Sequence, residues 1–134
     1  MEAVMEFKWT TKYSVNNELI DVQHRMLFAI INDLNTYIIN GQGLENIEEI
    51  LNKMSAYATL HFRTEEDILL KSNYTEYQKH KDYHDNFKKQ IFKSTQEVIS
   101  NKNEKTVIEI HRFLVDWLTS HILDEDVKYS ELLN

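Results

Sequence analysis

Two short runs in this chain carry side chains that can bind a metal. The first is HFRTE, from His61 to Glu65; the second is HKDYH, from His80 to His84. In each, two donors stand four residues apart. On a helix that is a rotation of about 400°, so both donors fall within about 40° of one face. Imidazole nitrogens and a carboxylate repeated at this spacing are the donor set of a metal site inside a helical bundle.

The remaining donors can be placed by height. A helix rises about 1.5 Å per residue, so distance in sequence from a turn becomes distance along the bundle. Measured from a turn near residue 42, His24 and His61 both lie about 27–28 Å away. Measured from a turn near residue 102, so do His84 and His121. Four histidines on four helices therefore share one level, and His80, Glu65 and an acid after His121 lie within a turn of it. A lone histidine on a helix is usually a surface or hydrogen-bonded core residue. Five neutral imidazoles packed in one layer lack the partners for that, whereas a metal satisfies them all. His111, about 15 Å from His121 along the same helix, does not belong to the layer.

Composition narrows the chemistry. There is no cysteine, which excludes disulfides, thiolate nucleophiles and iron–sulfur ligation and leaves nitrogen and oxygen as the donors. With 22 acidic and 15 basic residues the formal charge is −7, which argues against nucleic acid or an anionic membrane surface as partner. No apolar run approaches a membrane span, and MEAVMEFKW at the start lacks the pattern of a secretory signal, so a cytoplasmic protein is expected. The residues name no protein partner.

The elements that must position these donors are helices. The chain has no proline and only two glycines, Gly41 and Gly43, and reads as all-α. Residues 1 to about 17 form an N-terminal arm anchored by Phe7, Trp9 and Tyr13. Asn16 or Asn17 caps a first helix that runs to about Asn40, with Leu19, Ile20, Leu27, Ile30, Ile31, Leu34 and Ile38 inward. A second helix runs from Leu44 to about Lys71, with Ile47, Ile50, Leu51, Met54, Tyr57, Ala58 and His61 on its inner side. Thr75 and Gln78 resemble a capping box opening a third helix that ends near Ser100. Asn101 followed by Glu104 opens the fourth, which turns Val107, Ile110, Phe113, Leu114, Trp117, Leu118 and His121 inward. Short connections imply an antiparallel up-down-up-down four-helix bundle, one domain over 1–134, with the bundle from residue 18.

With these residues in view the chain resembles the hemerythrin family, most closely its single-domain bacterial members. The likeness rests on Asp21 and His24, on HFRTEE from His61, on HKDYH, and on Trp117, Leu118, His121, Ile122 and Asp126 with Tyr129 after them. It extends over essentially the whole chain. Thr75 stands where relatives often have proline after the tyrosine. The resemblance implies two iron ions bridged by an oxo or hydroxo group. One iron takes His80, His84 and His121, the other takes His24 and His61, and Glu65 and Asp126 bridge them. That count fills six positions on the first iron and five on the second, leaving one place for dioxygen.

Glu65 is the bridge by helix geometry as well, being four residues from His61. Asp126 is not: regular periodicity turns Glu125 toward His121 and Asp126 about 140° away. The resemblance puts the aspartate in the site, so helix four is expected to widen near residues 121–126. Leu27, Phe62, Trp117 and Leu123 lie near the histidines and are candidates for an apolar dioxygen pocket. The implied function is reversible dioxygen binding for carriage, storage or delivery, without enzymatic activity. The chain contains no Glu-x-x-His motif of the oxygen-activating di-iron enzymes, and so few anionic donors disfavour O–O cleavage. The competing readings are sensing or scavenging of O2 or nitric oxide, iron handling, and a di-iron peroxidase or oxidase.

Overall fold

The computed structural model describes residues 7–133, and among them four long helices form an antiparallel bundle. Helix α1 spans Glu18–Ile39, α2 Gly43–Lys71, α3 Tyr77–Ser100 and α4 Glu104–Ser120. A π turn, His121–Glu125, extends α4, and a 3-10 segment, Asp126–Leu133, follows it. No described helix is long and apolar enough to cross a membrane.

Local chemistry sets the ends of these helices. Asn17 caps α1, its side-chain oxygen accepting from the Ile20 amide at 3.0 Å. Glu18 and Asp21 place negative charge in the first turn, where the helix dipole favours it. At the far end Gly41 takes φ +72°, and the amides of Gln42 and Gly41 bond back to Tyr37 (2.7 Å) and Ile38 (3.1 Å). This is a Schellman close, and it needs a left-handed residue. The same closure ends α2 with Asn73 at φ 56°, where Tyr74 and Asn73 bond back to Leu69 and Leu70.

Two expected caps are displaced. The Thr75–Gln78 box does not form: α3 starts at Tyr77 without a side-chain cap, and Gln78 reaches forward to Asp82 at 3.0 Å instead. Asn103, not Asn101, opens α4 by accepting from Thr106 at 2.9 Å. Two expected core positions are also outside. Leu19 is 54% exposed and Tyr57 39%, because each sits at the margin of its helix's apolar stripe, where an aliphatic or aromatic side chain still lies on the surface. Phe113 and Trp117 are half-buried and pack against the core.

Along the helices the interior changes character. Between the Gly41 turn and the bundle's middle it is built of Ile38, Ile47, Ile50, Leu51, Met54, Ile91, Val98, Val107 and Ile110, with His111 buried among the helices there. Toward the Asn73 turn comes a layer of buried polar side chains, and beyond it a second apolar cluster of Val15, Ile20, Leu69 and Tyr129. The N-terminal arm lies along α1: Phe7 exchanges two 2.8 Å hydrogen bonds between its backbone and the Asn32 side chain, and its ring stacks on Phe28 at 3.9 Å. Ser14 and the Val15 amide donate to Asp21, which ties the arm to the turn of α1 that precedes His24. The first six residues of the arm lie outside the described residues.

Candidate metal centre

The five histidines and two carboxylates singled out from sequence meet in one buried layer. Within it the donor atoms form two overlapping groups. Glu65, His80, His84 and His121 make one; His24, His61, Glu65 and Asp126 make the other, and in each the atoms lie within 4.8 Å of one another. Glu65 belongs to both groups. Its Oε2 faces His61 Nε2 at 3.2 Å and His24 Nε2 at 3.7 Å, while Oε1 contacts His80 Nε2 and lies 3.0 Å from His84 Nε2. Asp126 spans the same gap: Oδ2 is 3.0 Å from His24 Nε2, and Oδ1 is 2.9 Å from His80 and 3.0 Å from His121.

The π turn is what brings Asp126 there. A five-residue turn inserts one residue into the helical register, so the side chain that follows His121 on the inner face is the fifth rather than the fourth. Asp126 is fully buried. Glu125 is partly exposed and pairs at the surface with Lys128 at 3.4 Å. Helix α4 thus widens where the sequence leads one to expect it.

Electrostatics in the layer favour a cation. Burial opposes ionisation of Glu65, but His61, His24 and His80 around it hold its carboxyl well below the usual range. Burial and the neighbouring Glu65 oppose ionisation of Asp126, and His121 and His24 outweigh them, also holding it far below that range. Burial works against protonated His24 and His80, yet the adjacent carboxylates of Asp126 and Glu65 lift them to about 9 and about 10. His61 goes the other way, since burial, helped by the neighbouring His24, outweighs the pull of Glu65 and Asp126. With protein groups alone the layer therefore takes up protons, and a metal must displace them.

Several atoms here have no hydrogen-bond partner although they are buried: Nε2 of His24 and of His61, and both oxygens of Asp126. A buried polar group without a partner costs about 1–3 kcal/mol, more when charged. Here the unpartnered atoms converge, and nitrogen and oxygen donors converging in this way fit metal ions of intermediate hardness such as iron.

Four residues to which the sequence assigns no role support the donors. Gln23 Oε1 lies 2.8 Å from His61 Nδ1, and the Gln23 amide donates to Thr64 at 3.3 Å. Thr64 itself donates to the Leu60 carbonyl at 3.0 Å, so its hydroxyl can only accept from Gln23. This fixes the amide, makes His61 Nδ1 the donor and turns its Nε2 lone pair inward. Glu66 does the same for His84, its Oε2 lying 2.7 Å from Nδ1. The periodicity that turns Glu66 away from His61 turns it toward α3, a direction only the packed bundle defines. The Tyr129 hydroxyl, fully buried, donates to Glu65 Oε2 at 2.8 Å, and burial with two adjacent carboxylates pushes its pKa well above 10, so the proton stays on the phenol.

The apolar surroundings are aromatic. Phe62 stacks on His84 at 3.9 Å and Trp117 on His121 at 4.5 Å. Leu27, Phe62 and Trp117 line one small cavity of about 10 Å³, closed by Ile31, Met54, Phe87, Leu114 and Leu118. Leu123 packs half-buried against the core and does not line it; the fully buried neighbour is Ile122.

Comparison with known proteins agrees with this geometry. Residues 15–133 match the family model described as the hemerythrin HHE cation binding domain. The chain is 32% identical to a hemerythrin-like protein of Naegleria gruberi, over 95% of this chain and 93% of that one. It is 30% identical to the bacteriohemerythrin of Clostridium acetobutylicum, over 92% of this chain and 98% of that one. A crystal structure of wild-type hemerythrin superposes with a TM-score of 0.81 at 27% identity, over 95% of this chain and 97% of that one.

Proposed function

This chain belongs to the hemerythrin family, whose domain holds a di-iron centre, and from that premise we propose that it binds dioxygen reversibly and returns it unchanged. His80, His84 and His121 would hold one iron, His24 and His61 the other, with Glu65, Asp126 and an oxo or hydroxo group between them. When bound, the iron pair supplies reversible two-electron redox capacity and an open position for the ligand. The observation that carries the reading is the unequal division of the layer. Three imidazoles gather on one side of Glu65 and two on the other, with Asp126 facing both sides, so an ion on the two-imidazole side would keep a coordination position to spare.

The chain's own residues then do three things. Gln23 and Glu66 hold the Nδ1 protons of His61 and His84, keeping their Nε2 lone pairs inward. Tyr129 keeps its proton and lends a hydrogen bond to Glu65, steadying a carboxylate shared by both donor groups. Leu27, Phe62 and Trp117 line an apolar space that keeps water and its protons from the layer. Neutral imidazoles outnumber carboxylates five to two, which favours binding over bond cleavage and supports a carrier over an oxidase or peroxidase. Stopped-flow mixing of the ferrous-loaded protein with O2 tests this. A spectrum that forms once and reverts under argon is expected; continued consumption of O2 with an added reductant would show an enzyme instead. Leu27→Ser should speed irreversible oxidation of the iron, and an unchanged rate would remove the pocket from the account.

A further inference from the structure

His61 and His84 stand on opposite sides of the proposed iron pair, and each is held from behind by a different kind of acceptor. Behind His61 is the neutral amide of Gln23, its orientation locked by Thr64 and the Leu60 carbonyl. Behind His84 is the carboxylate of Glu66, whose side chain is 17% exposed and lines an open groove between α2 and α3. Both hydrogen bonds are short, at 2.8 and 2.7 Å, so geometry does not separate them. Charge does. A carboxylate accepting from Nδ1–H draws the proton toward itself and makes the imidazole a stronger donor through Nε2, which an amide does far less.

We infer that Gln23 and Glu66 are positioning residues that make the two irons electronically unequal. Glu66, acting through His84, favours the ferric state on the three-histidine side. Gln23, acting through His61, leaves the two-histidine side the more readily reduced. The side with the spare position is then the one that stays ferrous longest and meets the ligand. This rests on the ligand division proposed above, but not on oxygen binding itself.

The test is a pair of exchanges, Glu66→Gln and Gln23→Glu, in the iron-loaded protein without O2, with both one-electron potentials measured. Glu66→Gln should raise the lower potential and Gln23→Glu should lower the higher one. Each exchange should narrow the gap between the two steps and lower the comproportionation constant of the one-electron-reduced protein about tenfold, which is a narrowing of about 59 mV. If both variants load iron and the gap is unchanged, or both potentials move together, the inference is overturned. A merely structural role would lower metal affinity in both variants without narrowing the gap. Should a variant fail to load, the wild-type protein with zinc decides: the Nδ1 proton of His84 should resonate further downfield than that of His61, and equal shifts would sink the proposal. Because no dioxygen enters, failure here is distinguishable from failure of the carrier reading.

Discussion

His24 and His111 are buried almost equally, at 0% and 4% exposure, and behave oppositely. Asp126 and Glu65 overcome burial at His24 and lift it to about 9. At His111 burial, with the positive charge of Arg112, pushes the imidazole down, and its Nε2 has no partner. One end of the bundle thus gathers buried polar groups around a common centre, while the other is a mainly apolar core in which His111 has no carboxylate beside it. Burial alone does not make a histidine functional; a converging set of carboxylates does. In energetic terms the apolar end can hold the fold together while the other end carries groups that only a metal satisfies.

The contrast can be broken at either end. The largest effect should come from Asp126→Ala, which removes both oxygens from between His24, His80 and His121. Metal analysis should show iron content falling below two per chain, while Glu125→Ala, one residue away and on the surface, leaves it unchanged. Equal losses in the two variants would mean that the π turn is not what delivers the ligand. In the apolar end, Leu51→Ala should cost about 2–5 kcal/mol in denaturant unfolding and leave iron content alone. Asn103→Ala removes the cap of α4 and should cost about 1 kcal/mol.

His111 gives the smallest effect and the sharpest sign. Its pKa is lower folded than unfolded, where it titrates near 6.5. As pH falls through that value the unfolded chain takes up a proton that the folded chain refuses, so stability declines toward acid. His111→Phe should flatten this part of the stability–pH curve in the iron-loaded protein. A curve as steep as the wild type's would assign the acid loss to other groups.

Most of the bundle was legible in the sequence because its signals are local and repeated: no proline, apolar stripes at helical spacing, and Gly41 where a left-handed residue had to stand. The site layer was legible for a related reason, since helical rise is regular enough to bring His24, His61, His84 and His121 to one height. Asp126 was not readable from periodicity. A regular helix selects Glu125, and only the family pattern pointed to the residue after it. Gln23 and Glu66 were invisible because an acceptor behind a histidine is defined by which helix passes there, not by any spacing. The cap of α4 moved from Asn101 to Asn103 because the two asparagines offer the same chemistry two residues apart, and the helix starts at Glu104, directly after Asn103.

The most direct measurement is an anaerobic titration of the metal-free protein with ferrous iron, followed by stepwise addition and removal of O2 with optical spectra at each step. Saturation at two irons per chain, one O2 taken up per pair, and full return of the spectrum under argon are the predicted result. Saturation at one iron, or a spectrum that does not return, would contradict the account.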